Sequence, residues 1–149
     1  MAIEFIEFGK KGSSKEIKQI LSHIFQRNND LSKDNKRGTA VCIWGTHGLG
    51  KTQIVRDYAL EQKWKFSYIA PAQFEEMGDL HGMPNVIDPD EKISGDEYTV
   101  YSPPDWVPRE EGPGILLLDD INRADDRILR GCMQLLQNFE LTSWELPPK

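Results

Sequence analysis

The sequence has no apolar run approaching the roughly 20 residues that a membrane-spanning helix needs, and 28% of its 149 residues are charged. That excludes a transmembrane helix. Met1 to Lys10 carries Glu4 and Glu7 among its apolar residues and has no basic segment followed by an apolar one, so no secretory leader is expected. Cysteine is scarce. Cys42 and Cys132 stand far apart, each inside an apolar run, and read as two buried reduced thiols in a cytoplasmic chain. Neither has a Cys or His at metal-ligand spacing, which argues against structural zinc. Positive charge is also in deficit: 18 Lys and Arg against 24 Asp and Glu give a net charge of −6 and a pI near 5.1. Broad attraction to nucleic acid needs a basic face, so a nucleic-acid partner is not expected. Low-complexity tracts and internal repeats are absent. What remains is an ordinary globular composition, 38% hydrophobic, at a length that suits one domain.

The apolar residues fall into a regular rhythm. Ser13 and Glu16 are spaced as a capping box, and Ile17, Ile20, Leu21, Ile24 and Phe25 follow at helical spacing, predicting a helix to about Arg27. Asn28 to Gly38 is polar and predicts a surface loop. Thr39 to Trp44 is a short apolar run rich in strand formers and predicts a buried strand. After a glycine-rich turn, Lys51 to about Gln62 reads as a helix that buries Ile54, Val55, Tyr58 and Ala59. Phe66 to Ala70 predicts a second strand, stopped by Pro71. Prolines then crowd the segment from Pro84 to Pro113, where Ile93 and Tyr98 to Tyr101 flank Ser94-Gly95-Asp96 as a protruding hairpin. Ile115 to Asp119 is apolar on both faces, which fits a parallel strand covered by helices. Asp125 or Asp126 should cap a last helix with the stripe Ile128, Leu129, Cys132, Leu135, Leu136 and Phe139. The expected fold is α/β, a parallel sheet flanked by helices.

Gly45-Thr46-His47-Gly48-Leu49-Gly50-Lys51-Thr52 matches G-x-x-x-x-G-K-[ST] in full. Glycines let successive N–H groups turn inward around a polyphosphate. The helix that starts at Lys51 adds its N-terminal partial positive charge. Lys51 can reach the β- and γ-phosphates, and the Thr52 hydroxyl suits Mg²⁺. The pattern stands directly after a strand-like run and directly before a helix, where this chemistry requires it. All eight residues are therefore candidates for the nucleotide cradle.

Such a loop needs an acidic partner at the carboxyl end of a neighbouring buried strand. Asp119 ends the Ile115 to Leu118 run and is the candidate second Mg²⁺ ligand beside Thr52. Asp120 follows and is the candidate catalytic carboxylate that orients water for γ-phosphate hydrolysis, with Lys51 as its cationic counterpart. The competing reading is that two aspartates merely close a strand and open a turn.

Taken together, Gly45 to Thr52, the element Gly78-Asp79-Leu80-His81-Gly82 and the run Leu116-Leu117-Leu118-Asp119-Asp120-Ile121-Asn122-Arg123-Ala124 resemble the AAA+ ATPases of the MoxR-like and dynein-related group. The resemblance extends from about Gly38 to Pro147. It implies ATP and Mg²⁺ as ligands, ATP hydrolysis to ADP and phosphate, a homo-oligomeric ring (a hexamer) in the complete protein, and a protein client. Two departures stand out. The second acidic residue of this group is usually Glu; Asp120 is one methylene shorter, so slow hydrolysis is expected. In the family, the strand that bears the sensor asparagine lies between the P-loop strand and the acidic strand, and this chain stops at Pro147-Pro148-Lys149, where that strand would begin. The expectation is thus a P-loop NTPase fold of AAA+ type, incomplete at its C-terminus, with an N-terminal helix and loop (1–37) before a partial nucleotide-binding core (38–149).

The remaining candidates have plain readings. His47 is expected to be solvent-exposed near the nucleotide, His81 part of a turn between glycines, and His23 a surface residue. Arg123 is expected in a local salt bridge with Asp125 or Asp126, with contact to an adjacent subunit as the alternative. Trp106, between prolines, is expected to anchor the hairpin segment. The acidic residues Asp88, Asp90, Glu91, Asp96 and Glu97 lack calcium-loop spacing and read as a solvated hairpin. Beside an ATPase, two other functions fit in part: a nucleotide-regulated binding module with little turnover, favoured by Asp120, and a small-molecule kinase, disfavoured by the acidic pair.

Overall fold

Ser13 accepts from the Glu16 backbone amide while Glu16 Oε2 accepts from Ser13 N at 2.8 Å. That capping box opens the first helix, Ser14–Lys33 (α1). The structure, a computed structural model, describes residues 12–34, 36–88 and 97–147. Met1 to Lys10 and the expected hairpin turn, with Ile93, Ser94-Gly95-Asp96 and the acidic Asp90 and Glu91, lie outside the described residues. The helix continues six residues past the expected end, because Leu31 returns to the half-buried face after the polar stretch. The side-chain amide of Asn28, within that last part, both donates to Thr39 O and accepts from Thr39 N, each at 2.8 Å.

Thr39 to Trp44 does not form the expected strand. It has no ladder partner, although its side chains still alternate: Val41 and Ile43 pack against the core while Cys42 is exposed and Trp44 is 74% exposed. The run has strand composition, but hydrogen bonding needs a neighbouring strand, and none of the described strands lies beside it. Cys42 is for the same reason not a buried thiol. Cys132 is one; burial pushes its thiol up to about 11.

The remaining elements run in the order Lys51–Gln62 (α2), Lys65–Ile69 (β1), Met77–His81 (α3), Met83–Ile87 (β2), Tyr98–Ser102 (β3), Gly114–Leu118 (β4), Asp126–Asn138 (α4), Glu140–Leu141 (β5) and Trp144–Glu145 (β6). Short 3₁₀ turns occupy Pro71–Gln73 and Ile121–Arg123. The strands β1 and β4 pair in parallel from Lys65↔Gly114 to Ile69↔Leu118. The β2–β3 pair is antiparallel; its first arm is Met83–Ile87 rather than the region of Ile93. Its exposed side chains and Pro84 gave no alternation to find.

β4 is covered on both faces, as its sequence requires. Ile115 and Leu117 meet Leu21, Val55, Tyr58 and Ala59 from α1 and α2; Leu116 and Leu118 pack toward Leu80, Ile128, Cys132 and Leu135 from α3 and α4. These two clusters hold the N-terminus of α2 and the C-terminal end of β4 in fixed register. Trp106 anchors the proline-rich segment: its Nε1 donates to Asp79 O at 3.0 Å, and its ring meets Trp144 edge-on. Among the described residues no helix is long and apolar enough to cross a membrane.

His81 ends α3, half-buried, with its ring edge-to-face on Tyr101 and beside a hollow lined by Met77, Arg127 and Arg130. Burial lowers its pKa from the ordinary value near 6.5. The unfolded chain therefore binds a proton at a higher pH than the folded one. The stability from the neutral ring is fully present above the unfolded pKa, near 6.5, and is lost as pH falls below it. The melting temperature should drop more steeply between pH 7.5 and 5.5 in the native chain than in His81→Gln; parallel profiles would refute this.

Candidate functional site

The glycine-rich turn projects from the end of the Thr39 to Trp44 segment and is exposed throughout. Gly48 (φ 77°) and Gly50 (φ 73°) hold left-handed conformations that L side chains rarely adopt. Gly50 is the residue at the N-terminal cap of α2, so the turn delivers the free amides of the first helical turn to one place. Gly50 is thus demanded both by the motif and by its backbone angles, while Gly48, at a position the motif leaves open, is demanded by its backbone angles alone. The Lys51 ammonium folds over the same turn and donates to Gly45 O (3.0 Å) and Thr46 O (2.9 Å).

Thr52 is one residue into α2, and its Oγ1 donates to Asp119 Oδ2 at 2.8 Å. This contact joins positions 67 residues apart. It follows from the packing of Val55, Tyr58 and Ala59 against Ile115, which sets helix against strand. Asp119 N donates to Ile69 O at 2.9 Å, extending the ladder by one step beyond β4. The Asp119 carboxylate also accepts from the Asp120 amide at 3.0 Å through Oδ1. Asp120 itself is left-handed (φ 49°, ψ 34°), a conformation that Asp tolerates better than most side chains. The chain turns there, and the carboxylate stays exposed.

Sequence reasoning missed Tyr68. Its hydroxyl donates to Asp119 Oδ2 at 3.3 Å from the adjacent strand. Partial removal from water, then the neighbouring Asp119 charge and its hydrogen bond, raise the phenol above its ordinary pKa. The one available signal was position: Tyr68 stands near the C-terminal end of a parallel strand, opposite Leu117.

Arg123 departs from its expected local salt bridge. Arg127 takes Asp125 at 3.2 Å, whereas Arg123 turns back, donating from Nη2 to His47 Nε2 at 2.9 Å, with Nη1 3.9 Å from Asp120. His47 is exposed, as expected, yet it meets a residue 76 positions away.

The structure therefore brings Lys51, Thr52, Asp119, Asp120, His47 and Arg123 to one site between the glycine turn and the end of β4. Thr52 and Asp119 offer two hard oxygen donors within 2.8 Å of each other, a set that fits Mg²⁺, which keeps water and phosphate oxygens for its other positions. Lys51 and the loop amides could take an anion. His81 and His23 lie elsewhere, on the α3 end and the exposed side of α1.

Comparison with known proteins gives the chain a family. A family model described as AAA domain (dynein-related subfamily) matches residues 40–146. An "ATP-dependent protease ATP-binding subunit-like protein" of Rhodococcus erythropolis is 29% identical over 107 residues, covering 68% of this chain and 29% of that protein. The chain thus spans less than a third of that relative's length. No solved structure matches it.

Proposed function

The chain belongs to the dynein-related subfamily of AAA domains, and from that premise we propose that it is an ATP-binding module that hydrolyses ATP to ADP and phosphate to drive remodelling of a protein or complex. The observation that carries this reading is the 2.8 Å contact between Thr52 and Asp119, which places a phosphate-loop hydroxyl and a strand-end carboxylate at one point. The name of the Rhodococcus protein, an ATP-binding subunit, supports ATP as the nucleotide. In this reading the amides of Gly45, Thr46, His47, Gly48, Leu49 and Gly50 cradle the phosphates, and Lys51 pairs with the β- and γ-oxygens. Thr52 and Asp119 hold Mg²⁺, which supplies charge neutralisation when bound. Asp120 orients a water molecule and accepts its proton. That water attacks the γ-phosphorus, and the bond to the bridging oxygen breaks with its electron pair leaving on ADP. Fixed positive groups around the γ-phosphate supply most of the rate. A homo-oligomeric ring, a hexamer, and a protein client complete the proposal.

Replacing Asp120 with Asn tests the hydrolytic part. Turnover of Mg·ATP should fall by about a hundredfold, the scale of a lost general base, while ATP affinity should not fall, because Asp120 is outside the phosphate cradle and its charge opposes the terminal phosphate. A second reading, a nucleotide-regulated binding module, draws on the short side chain of Asp120 and its approach to Arg123. Equal and very slow turnover in the native chain and in Asp120→Asn, with tight binding in both, would select it.

A further inference from the structure

The contact between His47 and Arg123 joins the glycine turn to the turn that follows β4, and nothing in the packing requires it. Both residues are exposed, and neither belongs to a core cluster. The backbone nevertheless aims Arg123 inward. Asp120 takes its left-handed conformation, the 3₁₀ turn Ile121–Arg123 follows, and Arg123 N closes it on Asp120 O at 2.9 Å. Asp125, the nearest carboxylate in the expected salt bridge, is used instead by Arg127 and by the cap of α4.

We infer that Arg123 is a triphosphate-contacting residue supplied by the chain itself, and that His47 is the positioning residue that presents it. This inference rests on the nucleotide reading of the same site. Its first support is geometry. The guanidinium stands against the third residue of the phosphate loop on one side and near Asp120 on the other. It therefore lies on the acidic-strand side of the site, where the proposed function puts the γ-phosphate.

The second support is donor capacity. A guanidinium carries five N–H donors in a planar fork suited to phosphate oxygens. His47 engages one nitrogen, and the 3.9 Å approach to Asp120 is too long for a hydrogen bond. Because guanidinium only donates, His47 Nε2 is the acceptor of this contact. A ring nitrogen, unlike a carboxylate, holds the fork without cancelling its charge.

The third support is charge. The site groups Lys51 and Arg123 with Asp119 and Asp120. Without Arg123 the protein groups there would be net negative toward a polyanion, and the whole chain already carries −6. One arginine restores the balance where the acidic pair would otherwise repel the terminal phosphate.

The test is calorimetric titration of the full chain with Mg·ADP and with the Mg²⁺ complex of a non-hydrolysable ATP analogue. Arg123→Ala should weaken the triphosphate by about tenfold and the diphosphate by less than about twofold, as expected for loss of a charge-assisted contact to the terminal phosphate alone. Arg123→Lys should recover part of the loss. His47→Leu should reduce the triphosphate-to-diphosphate preference in the same direction, and His47→Gln, whose Oε1 can accept from the fork, should restore it. A preference unchanged in Arg123→Ala, or equal losses for both nucleotides, overturns the inference. So does a His47→Gln variant no better than His47→Leu. If the native chain binds neither nucleotide, the nucleotide reading itself falls.

Discussion

Lys51→Ala is expected to lose Mg·ATP affinity by about a hundredfold or more, the scale of a charge-assisted phosphate contact removed from a site that retains its other charges. The side chain lies at the first residue of α2 and already curls over the glycine turn, with its ammonium 3.0 Å from Gly45 O and 2.9 Å from Thr46 O. Exchanging these neutral carbonyl acceptors for phosphate oxygens needs little movement. Stability should barely change, since both carbonyls are exposed and water can replace the ammonium. Titration calorimetry with Mg·ATP, alongside thermal unfolding of the same sample, separates these effects. Native-like affinity in Lys51→Ala would remove the phosphate loop from the account. Lost affinity together with a collapsed melting transition would move the residue from ligand binding to structure.

The shape of the loop was legible because it is written in local geometry. Gly48 and Gly50 are needed for their backbone angles, Lys51 and Thr52 follow at the helix start, and all of this lies within eight residues. Asp119 was legible for a related reason: it ends an apolar run, and the parallel pairing of β1 with β4 places that end beside α2. The same logic found α2, α4 and the capping box of α1, whose apolar spacing and caps are properties of one segment. Apposition across the chain was not legible. Tyr68 reaches Asp119 only because β1 and β4 are neighbours, and His47 meets Arg123 only because the chain turns back at Asp120. The run from Thr39 to Trp44 shows the limit most clearly. Its apolar composition predicted a buried strand, but strand formation depends on a partner that composition does not name, and Cys42 and Trp44 face outward. The end of α1 failed for the opposite reason. Asn28 and its polar neighbours look like loop residues, yet the Asn28 amide pairs with Thr39 and helical geometry continues to Lys33.

Gly82→Ala should be the most damaging single-methyl change to the fold, and its neighbour in the same element supplies the control. Gly82 is buried at the junction between α3 and β2, with φ 86° and ψ −166°. That region is open in practice only to glycine, and forcing another residue into it costs about 1–3 kcal/mol. Space is lacking too: a Cβ there would lie 1.9 Å from Ser102 O, 2.9 Å from Ser102 C and 3.1 Å from Pro104 Cδ. The obstruction is backbone of the paired strand β3, which cannot rotate away as a side chain could, so overpacking adds about 1–3 kcal/mol more. The sum, about 4 kcal/mol, is a large share of the 5–15 kcal/mol that typically holds a domain folded. With a urea m-value of about 2 kcal/mol/M, the unfolding midpoint should fall by about 2 M. Gly78, four residues earlier, would place an added Cβ with no atom within 4 Å, and it lies inside α3, where alanine is the better helix former. Gly78→Ala should therefore unfold within about 0.5 kcal/mol of the native chain, or later. The damage from Gly82→Ala should also reach the candidate site, because Leu80 packs in the cluster against which Leu116 and Leu118 rest, and Asp119 is the next residue along the chain. A Gly82→Ala midpoint within about 0.5 M of the native value, half of the smallest shift these costs allow, would mean that the junction yields where its backbone angles and its Ser102 contact say it cannot.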